Sequence, residues 1–386
     1  MDKTISNLMS PSSIPLVVIR LYSNRILQQF AGALLGLFVP VFLFQIFDSI
    51  QFVLVYYLIT YTLYLLLVAP GAKFCGYITF NKGLILSVFG GVFFFLGMYF
   101  FEVNIWFFGA VTILGSLADK IFYWVPYHSS FAKFTSPATR GKILSIYLSF
   151  YYLLSALSPL LAGFLLAAYG FDVLFIIALV IYFSSVFPLI KMQTINEDYS
   201  FTYWQTWKIL LHKRDRKILY SYMADGAQDF IRTAIWPIFM WLVLDGNFIS
   251  VGVLASLIVV VTIALQVMVG NFADKFNKKT LLRYGSFFYS SGWLVKAFVE
   301  TGFHIFVTSA YHNFSSIVMR TSFDSLMYEK AADAGHYMDE YSVLRSMSLN
   351  LGRILMILIL LLLLNFISLP VAFVLAALAS LFVNLI

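Results

Sequence analysis

Apolar residues fill the chain in long runs separated by short polar connectors. Each run is about 20 residues long, the length of helix that crosses the hydrocarbon core of a bilayer. The stretch 14–19 is not counted, because it is too short to cross. Twelve longer runs remain, at residues 27–47, 52–70, 84–101, 105–128, 143–168, 171–191, 218–243, 248–269, 280–299, 303–327, 341–364 and 369–386. The pattern predicts an all-α integral membrane protein with twelve transmembrane helices.

The charges of the connectors alternate along the chain. Every second connector is basic, with Lys73 and Lys82; Lys133, Arg140 and Lys142; Lys208, Lys213, Arg214, Arg216 and Lys217; Lys275, Lys278, Lys279 and Arg283; and Lys330. The others contain no lysine or arginine. Basic short loops are retained in the cytoplasm. We therefore expect both termini to be cytoplasmic and the protein to lie in the plasma (inner) membrane.

The composition supports this class and excludes others. Hydrophobic residues make up 61% of the chain and charged residues 11%, whereas soluble domains contain about 25% charged residues. The net charge of +7 does not indicate nucleic-acid binding, because the basic residues fall between the spans. A single cysteine, Cys75, excludes an internal disulfide. No cofactor or metal is expected, and the expected partners are a small-molecule substrate, a coupling ion and membrane lipid.

The two halves of the chain contain similar segments. Phe38-Val-Pro40-Val-Phe-Leu-Phe44 lies in span one and Ile235-Trp-Pro237-Ile-Phe-Met-Trp in span seven, with the prolines 197 positions apart. Internal repeats of this kind are typical of transporters. The longest connector divides six spans from six, and its segment 202–211 has the pattern of an amphipathic helix. This predicts bundles at 1–192 and 218–386, joined by a cytoplasmic linker at 193–217.

A short charged connector joins spans eight and nine: Gly270-Asn-Phe-Ala-Asp274-Lys275-Phe-Asn277-Lys278-Lys279. Its lysines place it on the predicted cytoplasmic side. A carboxylate such as Asp274 is stabilised near a helix N-terminus. Asn277 is expected in the left-handed conformation, which asparagine tolerates. The alternative interpretation is an ordinary basic hairpin.

This connector resembles the signature loop of the major facilitator superfamily, in which a second glycine stands where this chain has Asn277. The twelve spans, the repeat and the basic linker are similar to that family over essentially the whole chain. The resemblance implies two pseudo-symmetric six-helix bundles and alternating access. It also implies a cytoplasmic gate of Gly270, Asp274 and Lys278 that meets Arg140 at the start of span five. The equivalent loop of the first half departs from the pattern, since it has Tyr77 instead of aspartate.

A second motif is less specific. Ser158-Pro159-Leu-Leu-Ala162-Gly163 in span five resembles the Gly-Pro-x-x-Gly-Gly signature of antiporters in the same family, with serine and alanine replacing two glycines. Small residues at this spacing also let helices approach closely. An ordinary packing face therefore remains an alternative.

Charged residues within spans are the candidates for a substrate site, because a charge at the bilayer centre costs roughly 2.5–3.5 kcal/mol on insertion scales. The spacing of Asp225, Gln228, Asp229 and Arg232 puts all four on one face of span seven. Asp119 and Lys120 in span four and Arg353 in span eleven lie at similar predicted depth. The alternative is that these charges only pair with one another.

From these residues we predict the following roles. Lys120, Arg232 and Arg353 hold an anionic or zwitterionic group, and the predicted contacts to the remainder of the substrate come from Tyr123, Trp124, Gln228 and His312. A lone histidine is, however, more often a packing residue. Asp119 and Asp229 are the predicted proton sites, because burial favours the neutral form of a carboxyl group.

The predicted function is a proton-coupled secondary transporter that moves a small organic solute by alternating access as a monomer. The sequence contains no Gly-x-x-x-x-Gly-Lys-Ser/Thr loop for ATP. It also lacks the His-Glu-x-x-His and Gly-x-Ser-x-Gly motifs, so an enzyme is not expected. An exporter of amphiphiles or drugs with the same fold stays open, because the chain is rich in aromatic residues. A receptor or scaffold that no longer transports also stays open, because the first-half loop lacks its aspartate.

Overall fold

The structure, a computed structural model, describes residues 15–134, 137–193, 199–212, 216–273, 277–333 and 338–385. Within these ranges it leaves out the side chains at 125, 128, 129, 132, 133, 137–146, 269–273, 324, 325, 327–333, 338 and 339. All regular structure in the described ranges is helical. The α-helices are α1 (Leu16–Leu35), α2 (Val39–Phe47), α3 (Ile50–Ile78), α4 (Phe80–Tyr99), α5 (Ile105–Phe134), α6 (Pro137–Ser184), α7 (Phe187–Ile190), α8 (Tyr203–Leu210), α9 (Arg216–Phe230), α10 (Trp236–Val243), α11 (Phe248–Ala273), α12 (Lys278–Lys296), α13 (Gly302–Asp333), α14 (Met338–Leu363) and α15 (Val371–Phe382).

The described helices follow the predicted spans. Seven stretches are long and apolar enough to cross a membrane. One of them, Tyr147–Ile190, contains two predicted spans, because α6 bends at Gly170, where φ is +74°. Spans seven, nine and ten are helical but more polar, and span twelve forms the shorter apolar stretch Val371–Leu385. Each predicted run is therefore helical over most of its length.

The first helix begins earlier than expected. It starts at Leu16, whereas the apolar pattern predicts a first span that starts near residue 27. The residues in between include the polar side chains of Arg20 and Asn24, which make contacts inside the first unit. The Arg20 guanidinium donates to the carbonyl of Lys191, and Asn24 Nδ2 donates to the carbonyl of Ser185 at 2.8 Å. Counting apolar residues alone misses a helix whose polar face is buried against its neighbours.

The repeat seen in the sequence is also a repeat of backbone structure. Span one breaks after α1 and restarts at α2, with Pro40 in its first turn. Span seven passes through a π-helix, Ile231–Ile235, and restarts at α10, with Pro237 in its first turn. Proline is tolerated in a first helical turn because the N–H that it lacks has no partner there. The two prolines therefore mark the same break in both halves.

The ends of the repeated helices match as well. Asp48 after α2 and Asp245 after α10 are again 197 positions apart, and both adopt positive φ, at 47° and 51°. Aspartate is among the few residues other than glycine that tolerate this conformation. The repeated segments also touch, since the rings of Phe44 and Trp241 lie edge to face at 6.3 Å. These residues occupy equivalent positions in the two repeats.

The chain forms two compact units. The first contains residues 1–34, Pro70–Ser155 and Phe171–Ser200, and the second contains Leu35–Ala69, Ala156–Gly170 and Phe201–Ile386. Parts of spans one, two and five thus pack with the later spans within the second unit. The division into bundles at 1–192 and 218–386 follows from the repeat and stays a prediction.

The predicted amphipathic segment of the linker forms helix α8. Its first turn has a capping box, in which Thr202 Oγ1 accepts from the backbone N–H of Gln205 and Gln205 Oε1 accepts from that of Thr202. This arrangement satisfies N–H groups that a helix start leaves free. Thr206 and Leu210 are buried, while Trp204 is exposed, so α8 has one buried face and one exposed face.

Small residues allow the closest helix contacts in the second unit. A Cβ on Gly226 in α9 would lie 2.0 Å from the carbonyl oxygen of Leu349, and one on Gly352 in α14 would lie 1.8 Å from that of Met223. Similarly, a Cβ on Gly163 would lie 3.1 Å from the Cα of Gly252. Residues 158–163 thus pack closely against α11, as the packing interpretation of that motif predicted.

We predict that Gly226→Ala and Gly352→Ala each destabilise the protein by about 1–3 kcal/mol, because the new methyl group would push one backbone away from another. The measurement is the melting temperature in detergent. Gly32→Ala is the matched control, because a methyl group on Gly32 would meet no atom within 4 Å. It should be neutral or stabilising by about 0.5–1 kcal/mol. Equal melting temperatures for all three variants would contradict the tight crossing of α9 and α14.

Candidate functional site

A charged cluster lies where span seven changes from α-helix to π-helix. Asp229 is in the last turn of α9 and Arg232 is in the π-helix. Arg232 Nη2 donates to Asp229 Oδ1 at 2.5 Å, and Arg353 Nη2 from α14 donates to Asp229 Oδ2 at 2.8 Å. One carboxylate thus holds two guanidinium groups. Short π-helical segments are frequent at functional sites.

The three side chains of this cluster differ in accessibility. Asp229 is 17% exposed and Arg353 21%, whereas 53% of the Arg232 side chain is exposed. Arg353 is fixed further, because Nη1 donates to Asn350 Oδ1 at 3.2 Å and its guanidinium lies 5.0 Å from the ring centre of Tyr61. Arg232 is therefore the member of the cluster that is most available to a ligand.

A second ion pair lies one turn earlier on the same face of α9. Asp225 accepts two bonds from Arg320 of α13, at 2.5 and 2.9 Å. Its side chain is 4% exposed. The sequence spacing places Asp225 on the face that carries Asp229, but it does not identify Arg320 as the partner. Two-point binding to a buried carboxylate is typical of a structural pair.

Gln228 connects this pair to the neighbouring helices. Its Nε2 donates to Asp225 Oδ1 at 2.9 Å. Its Oε1 accepts from Trp293 Nε1 at 3.4 Å and from Ser380 Oγ at 3.3 Å. Gln228 is fully buried, so its amide group is committed to the network that joins α9 to α12 and α15.

His312 of α13 is buried beside the same network. Its ring lies 4.2 Å from the ring of Tyr289 and 4.4 Å from that of Trp293. A Cβ on Gly292 would lie 2.8 Å from His312 Nδ1, so only glycine leaves room for the imidazole there. Among the described residues, neither ring nitrogen of His312 has a hydrogen-bond partner.

The first unit contains a partly buried carboxylate of its own. Asp119 Oδ1 accepts from the hydroxyl of Tyr182 at 2.5 Å. Glycines of α4 make room for this contact: a Cβ on Gly91 would lie 2.1 Å from the Tyr182 ring, and one on Gly90 would lie 2.5 Å from the Asp119 amide. Tyr182 was not predicted, because nothing in the local sequence relates span six to span four.

Arg25, at the centre of this region, was not predicted from the sequence either. Its guanidinium lies 4.8 Å from the ring centre of Trp124, 5.1 Å from that of Tyr123 and 5.8 Å from that of Tyr127. Both Arg25 and Lys120 act electrostatically on Asp119. A signal was present in the run Arg20 to Gln28, whose polar residues would share one side of a helix that began at residue 16.

The structure therefore brings the predicted site residues together in two groups. The first unit contains Asp119, Lys120, Tyr123 and Trp124, and the second contains Gln228, Asp229, Arg232, His312 and Arg353. Among the described residues, no group of three or more His, Cys, Asp or Glu could hold a metal ion.

The predicted gate is described only in part. Gly270 lies in α11 and Lys278 is the first residue of α12. Asp274 lies outside the described residues, and so does the side chain of Arg140. Asn277 corrects one expectation: its φ is −64°, and its side chain caps α12 by accepting from the backbone N–H of Lys279. The asparagine replaces glycine because it starts the next helix, not because it adopts a left-handed conformation.

Comparison with known proteins agrees with this architecture. The model of one family, the Major Facilitator Superfamily, matches residues 21–339. A solved structure titled a bacterial homologue of the iron transporter ferroportin in the inward-facing state has 13% sequence identity. It superposes with a TM-score of 0.68, over 97% of this chain and 98% of the other. At this identity the likeness concerns the fold alone. A search of curated proteins found no match.

We predict that Asp225→Asn destabilises the protein by about 3–5 kcal/mol, because it removes the buried charge that accepts two bonds from Arg320. The double variant Asp225→Asn with Arg320→Gln should recover part of this loss. Melting temperatures in detergent measure both effects, with Glu102→Gln as a control at an exposed site. A wild-type melting temperature for Asp225→Asn would show that the pair does not support the fold.

Proposed function

Because the chain belongs to the major facilitator superfamily, we propose that it is a proton-coupled secondary active transporter that moves a small organic solute by alternating access. Members of this family are transporters, which confirms that the chain is not an enzyme. It is a multi-pass membrane protein with the twelve-helix fold of the family. The observation that carries the proposal is the cluster of Asp229, Arg232 and Arg353 inside the spans.

These charges are costly within a membrane. Charged residues within membrane spans are rare, and they usually face a bundle interior or a water-filled cavity. Arg353 and Asp229 largely bury their charges by pairing, but Arg232 keeps half of its side chain exposed at mid-span. A cation anchored by Asp229 and otherwise accessible is suited to bind an anionic group of a solute. We also propose as substrate contacts Lys120, Tyr123 and Trp124 of the first unit and Gln228 and His312 of the second.

Alternating access requires contacts that form on one side and break on the other. Within the second unit, the predicted outer end of span one packs against later spans. The ring centres of Phe38 and Phe248 are 6.1 Å apart. In span five, the backbone N–H of Leu160 donates to Ser256 Oγ at 3.0 Å. These contacts join the two predicted six-helix halves, so we infer that they separate when the outer side opens.

The proposed cytoplasmic gate consists of Gly270, Asp274, Lys278 and Arg140. We place this gate and both termini in the cytoplasm and the monomeric protein in the plasma (inner) membrane. The halves are residues 1–192 and 218–386, with the linker 193–217 between them. The basic connectors support this orientation.

Asp119 and Asp229 are the proposed proton sites, and their partners suggest different roles. Asp229 accepts from two guanidinium cations, with which an incoming proton would have to compete. Asp119 accepts from the neutral phenol of Tyr182, and a protonated carboxyl group can keep a hydrogen bond to a phenol. We infer that Asp119 carries the transported proton, while Asp229 holds the two arginines in place.

We predict that Arg232→Gln abolishes transport while expression and melting temperature stay normal. Losing a contact to a charged group costs about 1.5–3 kcal/mol, which corresponds to about a 10- to 150-fold loss of affinity. A thermal-shift panel of metabolites first identifies a ligand, and its radiolabelled uptake into proteoliposomes is then measured. Arg216→Gln is the matched control, because it removes the same charge from the exposed start of the same span. Unchanged uptake by Arg232→Gln would remove Arg232 from the site.

We also predict that Asp119→Asn abolishes accumulation driven by a pH gradient but leaves exchange of substrate across the membrane measurable. Asp229→Asn should instead weaken substrate binding, because it releases both arginines. Exposed Asp172→Asn provides the control. Accumulation with normal pH dependence in both variants would contradict both carboxylate assignments. A wild-type protein that moves no ligand would favour a receptor or scaffold.

A further inference from the structure

Lys296 is a buried cation that the proposed transport cycle does not use. It lies in the last turn of α12 and is 2% exposed. Its ammonium nitrogen is 4.1 Å from the ring centre of Trp236 and 4.6 Å from that of Trp293. Contacts of this kind attract a cation, and the helix C-terminus adds a favourable dipole. Neither contact neutralises the charge.

No carboxylate in the described part of the chain pairs with Lys296. Asp229 already pairs with both Arg232 and Arg353. Arg232 acts electrostatically on Lys296, so Lys296 adds a third cation to a group with one carboxylate. Buried charges in proteins are normally paired, because leaving water costs several kcal/mol for each ion. This part of the second unit therefore has an excess of positive charge that favours a negative partner.

His312 lies at the same place and has free hydrogen-bonding capacity. It is 1% exposed, and neither ring nitrogen finds a hydrogen-bond partner among the described residues. Its ring packs on Trp293, whose ring also lies near the Lys296 ammonium. Lys296 and Arg232 both act electrostatically on His312. A neutral imidazole has one N–H to donate. Arg232 and Lys296 are therefore positively charged hydrogen-bond donors, and His312 is a neutral one.

The surroundings of these donors are aromatic. Trp236 and Trp293 both pack on Phe373, at 5.5 and 6.1 Å between ring centres, and Tyr289 packs on His312. Aromatic surfaces suit an apolar or aromatic body, whereas the donors suit an acidic group. A ligand with its own ammonium group would add a further positive charge to a region that already has too many.

We propose that Lys296 and His312 extend the Arg232 site into a binding site for an organic anion, namely a carboxylate on an apolar or aromatic body without a compensating positive charge. The proposal rests on the proposed transport function, because it names the class of the substrate. The acid approaches along the exposed side of Arg232, and its carboxylate bridges Arg232 and Lys296 while His312 donates a hydrogen bond. A zwitterion or an uncharged amide of the same body binds less well.

The test compares three compounds that share a carbon framework and differ in charge: 3-phenylpropionate, its amide and phenylalanine. Equilibrium binding of each radiolabelled compound to the purified full chain in detergent is measured. We expect saturable binding of 3-phenylpropionate and at least tenfold weaker binding of the other two. Equal binding of the amide or of phenylalanine, or no saturable binding of the acid, would overturn the proposal.

Lys296→Met separates binding from folding. Since an unpaired buried ammonium costs stability, the variant should melt at the wild-type temperature or above it while it binds the acid at least tenfold more weakly. Lys296→Arg should keep binding within a few-fold, and His312→Phe, which keeps a ring, should weaken it about three- to tenfold. Lys217→Met is the control at an exposed lysine and should bind normally. Wild-type affinity in Lys296→Met refutes the proposal.

These measurements do not depend on transport. If the acid binds through Lys296 but is not moved into proteoliposomes, the transport function fails and the anion site stands. If another compound is transported through Arg232 and Lys296→Met transports it normally, the anion site fails and the transport function stands.

Discussion

The constraint behind this structure is that a polar group within hydrocarbon must find its partner inside the protein. Span seven shows how the chain meets it. Asp225, Gln228 and Asp229 lie on one face of α9 and bond to Arg320, Trp293 and Arg353 on three other helices. These bonds hold the second unit together across the membrane, and the glycines at the crossing of α9 and α14 bring the partners within reach.

The same constraint distinguishes the residues that serve the fold from those that serve function. Asp225 is nearly buried and accepts two hydrogen bonds from Arg320, so this ion pair stabilises the fold. Arg232 and Lys296 leave part of their positive charge unmatched. In a membrane protein an unpaired charge lowers the stability of the fold, and binding an oppositely charged solute would restore that stability. Stability and affinity are then linked, because the same unpaired charge destabilises the unliganded protein and binds the ligand.

The sequence predicted well those features that depend on neighbours along the chain. Runs of apolar residues located the spans, the spacing of Asp225 to Arg232 located one polar face, and the matched prolines identified the internal repeat. It could not choose ion-pair partners, because the choice between Arg320 and Arg353 depends on how helices distant in sequence pack. It missed Arg25 because the apolar stretch 14–19 is too short to cross a membrane and polar residues follow it. Lys296 stayed unassigned because Trp236, one of its two aromatic neighbours, belongs to another span.

The contact between Phe44 and Trp241 has a consequence for the origin of the fold. When equivalent positions of two repeats touch each other, the surface is self-complementary, as it is in an isologous dimer. A half-length chain with this segment would present the same face to a second copy of itself. The short helices α2 and α10, each with a proline in its first turn, carry the two residues of this contact. This geometry fits descent from a symmetric pair of six-helix proteins that were later joined.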